Sequence, residues 1–172
     1  LVPSWSKDMS IGAKMINARI ETLPEKPSFK NLIDRQRCLI PSDGYYEWKA
    51  EPHGKQPYFI HLPEMKLFTF AGLRSNWTDN ANNSILTYTI ITTQAVDFLH
   101  QIHPRMPVVI PEPFRFDWMD KDISYTDITD LIQSDSSTWQ FRTVSPIVNR
   151  VKENHPGCLK PYSPPTQEEL FG

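Results

Sequence analysis

Reactive polar side chains interrupt otherwise apolar sequence at three places: Ile16-Asn17-Ala18-Arg19-Ile20-Glu21, Asp43-Gly44-Tyr45-Tyr46-Glu47-Trp48 and Ile102-His103-Pro104-Arg105-Met106-Pro107. Glu47 lies between Tyr46 and Trp48, in an aromatic run expected to be largely buried. A lone buried carboxylate is costly, and the usual response is a raised pKa or a specific partner. A carboxyl lifted from ~4.3 towards neutrality suits a proton shuttle; the other reading puts Glu47 on the solvent face of a strand, paired with a lysine. His103 stands before Pro104, where a helix gives way to a strand, and either caps the last helical carbonyls or carries protons near pH 7. Arg19 and Arg105 offer forked donors that match phosphate, and each is as well suited to an ion pair. Asn17 can hold a substrate oxygen or amine, or stabilise a turn.

Other chemistries have no footing. There is no phosphate-cradling Gly-rich loop, no His-Glu-x-x-His and no Gly-x-Ser-x-Gly elbow. Cys38 and Cys158 are too few for a disulfide framework or for a zinc site without histidines, so neither metal nor cofactor is expected; Cys38 is read as buried and Cys158 as unpaired. Trp5, Tyr45, Tyr46, Trp48, Trp77 and Trp118 are able to stack bases, although aromatics default to the core. A net charge of −2 argues against a strongly basic DNA-binding domain, yet residues 1–37 hold seven Lys/Arg against four Asp/Glu, whereas 112–137 hold two against seven. No apolar run reaches the ~18 residues that span a bilayer, and Leu1-Val2-Pro3-Ser4-Trp5 does not read as a signal peptide.

The elements that must position these residues are short. Sixteen prolines against six glycines stiffen the connections and break long helices. Strands are expected at Arg37–Ile40, Tyr45–Lys49, Pro57–Leu62, Leu67–Leu73, Ile85–Thr93, Met106–Ile110 and Trp139–Val144, with Asp43-Gly44 and Asn80–Asn83 as turns. Helical spacing appears at Pro27–Ile33, Gln94–Ile102, Pro111–Asp120 and Asp127–Gln133, while residues 1–16 and the tail from Asn154 read as irregular. The 172 residues suit one α+β domain spanning 1–172, dominated by a partly closed, barrel-like sheet with short peripheral helices.

Taken in order, the clusters resemble the SOS response-associated peptidase (SRAP) family. Leu1-Val2-Pro3-Ser4-Trp5 is similar to the second half of its Trp-Gly-Leu-x-Pro-x-Trp segment. Asn17-Ala18-Arg19 with Glu21-Thr22 resembles its Asn-Ala-Arg-x-Glu-Thr region, and the stretch from Arg37 to Trp48 its most diagnostic block. Gln56–Ile60, Phe70–Leu73, Ile91–Thr93, His103–Val108, Val148-Asn149 and Leu159–Pro161 continue the match.

The resemblance implies a β-rich fold whose channel takes single-stranded DNA with an abasic site, worked on as the ring-opened aldehyde. In the family an N-terminal cysteine, exposed by self-removal of the initiator methionine, forms a Schiff base through its amine and closes a thiazolidine through its thiol. An α-amine suits this, because at a pKa near 8 roughly a tenth is neutral at pH 7. By motif, Asn17 orients the nucleophile, Glu47 shuttles protons, His103 assists ring opening, Thr92 lines the pocket, and Arg19 and Arg105 hold flanking phosphates. A monomer at the nucleoid or in the nucleus is the implied setting. The family's opening Met-Cys-Gly-Arg does not occur in this sequence, and neither Cys38 nor Cys158 is placed to replace that cysteine. Three functions follow for comparison: a self-processing DNA crosslinker, a non-covalent single-stranded or modified-DNA-binding module, and a degenerate domain for protein contacts.

Overall fold

The longest strands, β5 (Phe68–Thr78) and β6 (Ser84–Gln94), form an antiparallel hairpin in a computed structural model that describes residues 1–52, 54–129 and 139–163. The Asp79 carboxylate closes the hairpin loop by accepting from the Ala81 and Asn83 backbone N–H groups and from the Asn83 side chain, at 2.8, 2.8 and 2.9 Å. Asn82 takes the left-handed conformation there (φ 63°), which asparagine tolerates better than most residues.

Around the hairpin the first sheet runs β1 (Asn17–Arg19), β6, β5, β2 (Arg37–Ser42), with β1 parallel to β6 and β2 antiparallel to β5. The ladder between β5 and β6 ends at Gly72 and Ile90, where the two strands part. The segment holding β7 (Arg105–Pro107) enters the gap: the Val108 N–H donates to Ile91 and the Ala71 N–H to Val108, both at 2.8 Å. The second sheet is antiparallel, in the order β3 (Tyr45–Glu51), β4 (Gly54–His61), β8 (Gln140–Thr143). Neither sheet closes on itself. The architecture is the β-dominated, mixed fold with short helices that the sequence suggests.

Strand alternation makes β5 a two-faced core element. Ala71 and Leu73 face a cluster shared with Ala18, Ile91, Trp118 and Ile128, under α2 (Arg115–Met119) and α3 (Tyr125–Thr129). Phe68 and Phe70 face the other way, into a cluster with Ile60, Met106 and Trp139 that joins the two sheets. At the first cluster the buried Arg37 guanidinium satisfies loose carbonyl oxygens, donating to Ile33 (2.9 Å), Ile123 (2.8 Å), Trp118 and Asp120. Those bonds compensate the burial of its charge.

Some local expectations differ from the structure. Pro27–Ile33 forms successive turns rather than a regular helix; Phe29 and Ile33 still bury their side chains, so the apolar spacing marks a packed face without a continuous bond ladder. The helix after β6 is α1, only Asp97–His100, because Gln94 remains in the strand. Residues 9–14, read as irregular, form a 3-10 turn capped by Asp8. Of the two free thiols Cys158 is the buried one and Cys38 is half-buried. The Asp127–Gln133 helix overlaps α3, and its last residues, like the end of the tail, lie outside the described residues.

Candidate active site

A cleft of about 220 Å³ is lined by Asn17, Arg19, Glu47, Thr92, His103 and Arg105, together with Met106 and Pro107. Its first wall is made by three neighbouring strands. Thr92 of β6 is in register with Arg19 on the parallel β1 and with Pro107 on the antiparallel β7. Asn17 lies two residues before Arg19, so the strand period puts both on one face. β1 has three residues and no apolar stretch of its own. Its place is set by Ala18, which is buried, and by the N–H of Ile90 donating to Ile16 at 3.1 Å.

Glu47 comes from the second sheet. Tyr45, two residues earlier on the same face, packs edge-on against Phe70 and Trp139, with ring centroids 5.8 and 6.2 Å away. Glu47 is thereby directed to the inner side of β3, and its side chain keeps only 22% of its exposure. The turn before the strand requires Gly44: a Cβ there would stand 2.1 Å from the Phe59 ring. Glu47 does not pair with a lysine; Lys49 pairs with Glu51 at 3.2 Å. The one ion-pairing partner within reach among the described residues is His103, Nδ1 lying 3.7 Å from Oε1, too long for a direct hydrogen bond. Burial raises the Glu47 pKa, with the His103 charge and the Trp48 N–H acting against it. A half-buried carboxyl that holds its proton beyond the usual range is the outcome.

His103 sits in the α1–β7 connection, where Pro104 stiffens the backbone. Its Nδ1 lies 3.2 Å from the Arg105 N–H and 3.0 Å from the Arg105 carbonyl oxygen. A bare Nδ1 accepts from the first, and a protonated Nδ1 donates to the second. The ring therefore has a backbone partner whichever tautomer it takes.

The two arginines differ. Arg105 donates to both oxygens of Glu21 at 2.7 and 3.0 Å and to the Thr92 carbonyl at 2.6 Å. That pairing holds the Glu21 carboxyl below its ordinary pKa. Arg19 is exposed and forms no ion pair among the described residues. In the core beside Phe70 and Trp139 the Tyr45 hydroxyl is buried without a hydrogen-bond partner among the described residues, and burial together with the Glu47 charge pushes its pKa up, so the phenol keeps its proton. The six candidate residues are thus brought to one place. Glu21, which the sequence places in the first cluster without a role of its own, sits in the 3-10 turn Ile20–Thr22 just after β1, where it meets Arg105.

No group of three His, Cys, Asp or Glu side chains is arranged to hold a metal among the described residues, and no helix among them is long and apolar enough to cross a membrane.

Comparison with known proteins adds independent information. The SOS response associated peptidase (SRAP) family model matches residues 1–151. The abasic site processing protein YoqW of Bacillus subtilis is 41% identical over 165 residues, covering 94% of this chain and 74% of that one. Abasic site processing protein HMCES of Gallus gallus is 33% identical over 186 residues, covering 94% of this chain and 55% of that one. Among solved structures, a protein of Bacteroides thetaiotaomicron superposes with a TM-score of 0.86 at 27% identity, covering 95% of this chain and 74% of that one. The chain belongs to the SOS response associated peptidase (SRAP) family.

Proposed function

We propose that this protein processes abasic sites in single-stranded DNA, and that the cleft between β1, β6, β7 and β3 is where the sugar aldehyde reacts. The observation that carries the reading is the convergence of Asn17, Arg19, Glu47, Thr92, His103 and Arg105 on one 220 Å³ cleft, in a chain whose relatives bear the name abasic site processing protein.

The nucleophile is an N-terminal cysteine of the full-length parent, freed by self-removal of its initiator methionine. Its neutral amine adds to the aldehyde carbon to give a carbinolamine. Loss of water forms the imine, and the thiol then adds across the C=N bond to close a thiazolidine. Glu47 supplies what this sequence needs. Its retained proton helps the hydroxyl leave as water, and the carboxylate so formed takes up the next amine or thiol proton. Positioned acid–base groups of this kind contribute ~10²- to 10⁴-fold. As a carboxylate, Glu47 would also activate water during methionine removal. His103, 3.7 Å away, relays protons between Glu47 and the ring-opening sugar oxygen. Asn17 orients the amine, Thr92 lines the wall, Arg19 meets a flanking phosphate, and Arg105 fixes the Thr92 backbone while presenting its charge from the Glu21 pair.

The test is borohydride trapping of the full-length parent with an aldehydic abasic oligonucleotide, followed by peptide mass spectrometry. The proposal expects a reduced adduct on the N-terminal residue. Binding of the oligonucleotide with no trapped or thiazolidine adduct would support the non-covalent module instead.

A further inference from the structure

We infer that Glu21 is a specificity-determining residue: it serves as an internal counter-ion to Arg105, keeping the grip on any strand weak while steadying the reacting wall of the cleft. This rests on the reading of the cleft as an abasic-site pocket. Glu21 does not itself line the cleft; it stands in the 3-10 turn Ile20–Thr22 and reaches Arg105 across 84 positions of sequence. Its two carboxylate oxygens accept from the two terminal nitrogens of the guanidinium, at 2.7 and 3.0 Å. An arginine takes a phosphate in the same forked, two-point geometry, so Glu21 engages the donors that a DNA phosphate would use. The Arg105 hydrogen bond, opposed by slight burial and helped by the charges of Arg105 and Arg19, holds the Glu21 pKa below its ordinary value. The carboxylate is therefore ionised at neutral pH, and it offsets one of the two arginine charges at the site.

The same pair reaches the reacting groups through Arg105. Nη2 of Arg105 donates to the Thr92 carbonyl at 2.6 Å and lies 3.3 Å from the Thr92 hydroxyl. The Arg105 backbone N–H and carbonyl oxygen lie 3.2 and 3.0 Å from His103 Nδ1. Glu21 thus steadies Thr92 and His103 without touching either, as a positioning residue. Its charge bears on specificity for a separate reason. Phosphate contacts strengthen intact and abasic strands alike, because they carry no information about the base. Only the aldehyde adds covalent capture. Withholding one charge lets intact strands leave, while the abasic sugar is retained by reaction.

The experiment joins two measurements on the full-length parent. One is an anisotropy titration of an intact labelled single strand. The other is single-turnover adduct formation with the aldehydic abasic oligonucleotide of the same sequence, over a range of protein concentrations. At ~0.1 M salt one added phosphate contact on a single strand amounts to about fivefold in affinity. Glu21→Gln should therefore bind the intact strand about fivefold more tightly, while its saturated adduct rate falls by ~10-fold or more as Thr92 and His103 lose their support. Excess intact strand should then slow adduct formation more in the variant than in wild type. Glu21→Asp keeps the charge but shortens the reach, so it should lower the saturated rate without tightening binding. In an Arg105→Gln background, Glu21→Gln should no longer tighten binding. If Glu21→Gln does not fold, the split between rate and affinity in Glu21→Asp decides. Unchanged affinity in Glu21→Gln, tightening that survives in Arg105→Gln, or an unchanged saturated rate would overturn the assignment. Wild-type protein that forms no aldehyde-dependent adduct, with the Arg105-dependent tightening intact, would instead remove the abasic reading and leave the counter-ion standing.

Discussion

Arg105, which lines the cleft, and Glu21, 84 residues away, are joined by a two-point ion pair of 2.7 and 3.0 Å. The pair distinguishes the two arginines: Arg19 forms no ion pair among the described residues, whereas Arg105 is held against Glu21 and the Thr92 carbonyl, and in the proposed function it is Arg19 that meets a phosphate. Arg19→Ala should therefore flatten the salt dependence of single-strand binding by roughly 0.7 on the log–log scale. Glu21→Gln releases the charge of Arg105 and should steepen the slope by a similar amount. Because the Glu21 side chain is 44% exposed, its loss should cost no more than about 1 kcal/mol of stability. Salt titrations of a labelled oligonucleotide measure all of this, and an unchanged slope in both variants would take the arginines out of the binding surface.

Glu47→Gln should slow adduct formation by ~10²- to 10⁴-fold while making the fold more stable at neutral pH. Burial raises the Glu47 pKa above its ordinary 4.5, so between those two values the folded chain binds more protons than the unfolded one. Stability from this group is therefore present below pH 4.5 and is lost as pH rises through the folded value. Glutamine has no such loss. Thermal melts should show the variant's advantage growing from pH 4 to pH 8; a gap independent of pH would mean that Glu47 ionises freely in the folded protein.

Gly44→Ala probes the turn that aims Glu47. The new Cβ would meet the Phe59 ring at 2.1 Å and the Ile60 carbonyl oxygen at 2.8 Å, so β3 or β4 must shift. A loss of about 1 to 3 kcal/mol in urea denaturation is expected, with reactivity falling as Glu47 moves relative to His103. A variant as stable and as reactive as wild type would show that the turn leaves room the present geometry denies.

Sequence alone revealed the longer strands, because β5 and β6 carry dense β-branched and aromatic residues between clear turn signals. It did not reveal β1, whose three residues become a strand only by pairing with Ile90–Thr92 more than seventy positions away. The direction of Glu47 was equally hidden. Tyr45, Tyr46 and Trp48 put aromatics on both faces of β3, which erases the period-two signal, and only the packing of Tyr45 on Phe70 and Trp139 shows which side is inward. The Glu21–Arg105 pair left no local trace for the same reason: Glu21 sits in the 3-10 turn Ile20–Thr22 just after β1 and Arg105 on β7, and those two strands are brought together only by Thr92 of β6.

The most direct measurement of the central claim is a rate comparison under denaturing electrophoresis. Full-length parent is incubated with three single-stranded oligonucleotides that differ at one position: an aldehydic abasic site, the same site reduced to the alcohol, and an intact nucleotide. The account predicts a denaturation-resistant adduct with the aldehyde alone, formed at a rate that Glu47→Gln lowers by at least ~10²-fold. Adduct formation with the reduced site, or a rate with the aldehyde that is unchanged in Glu47→Gln, would contradict it.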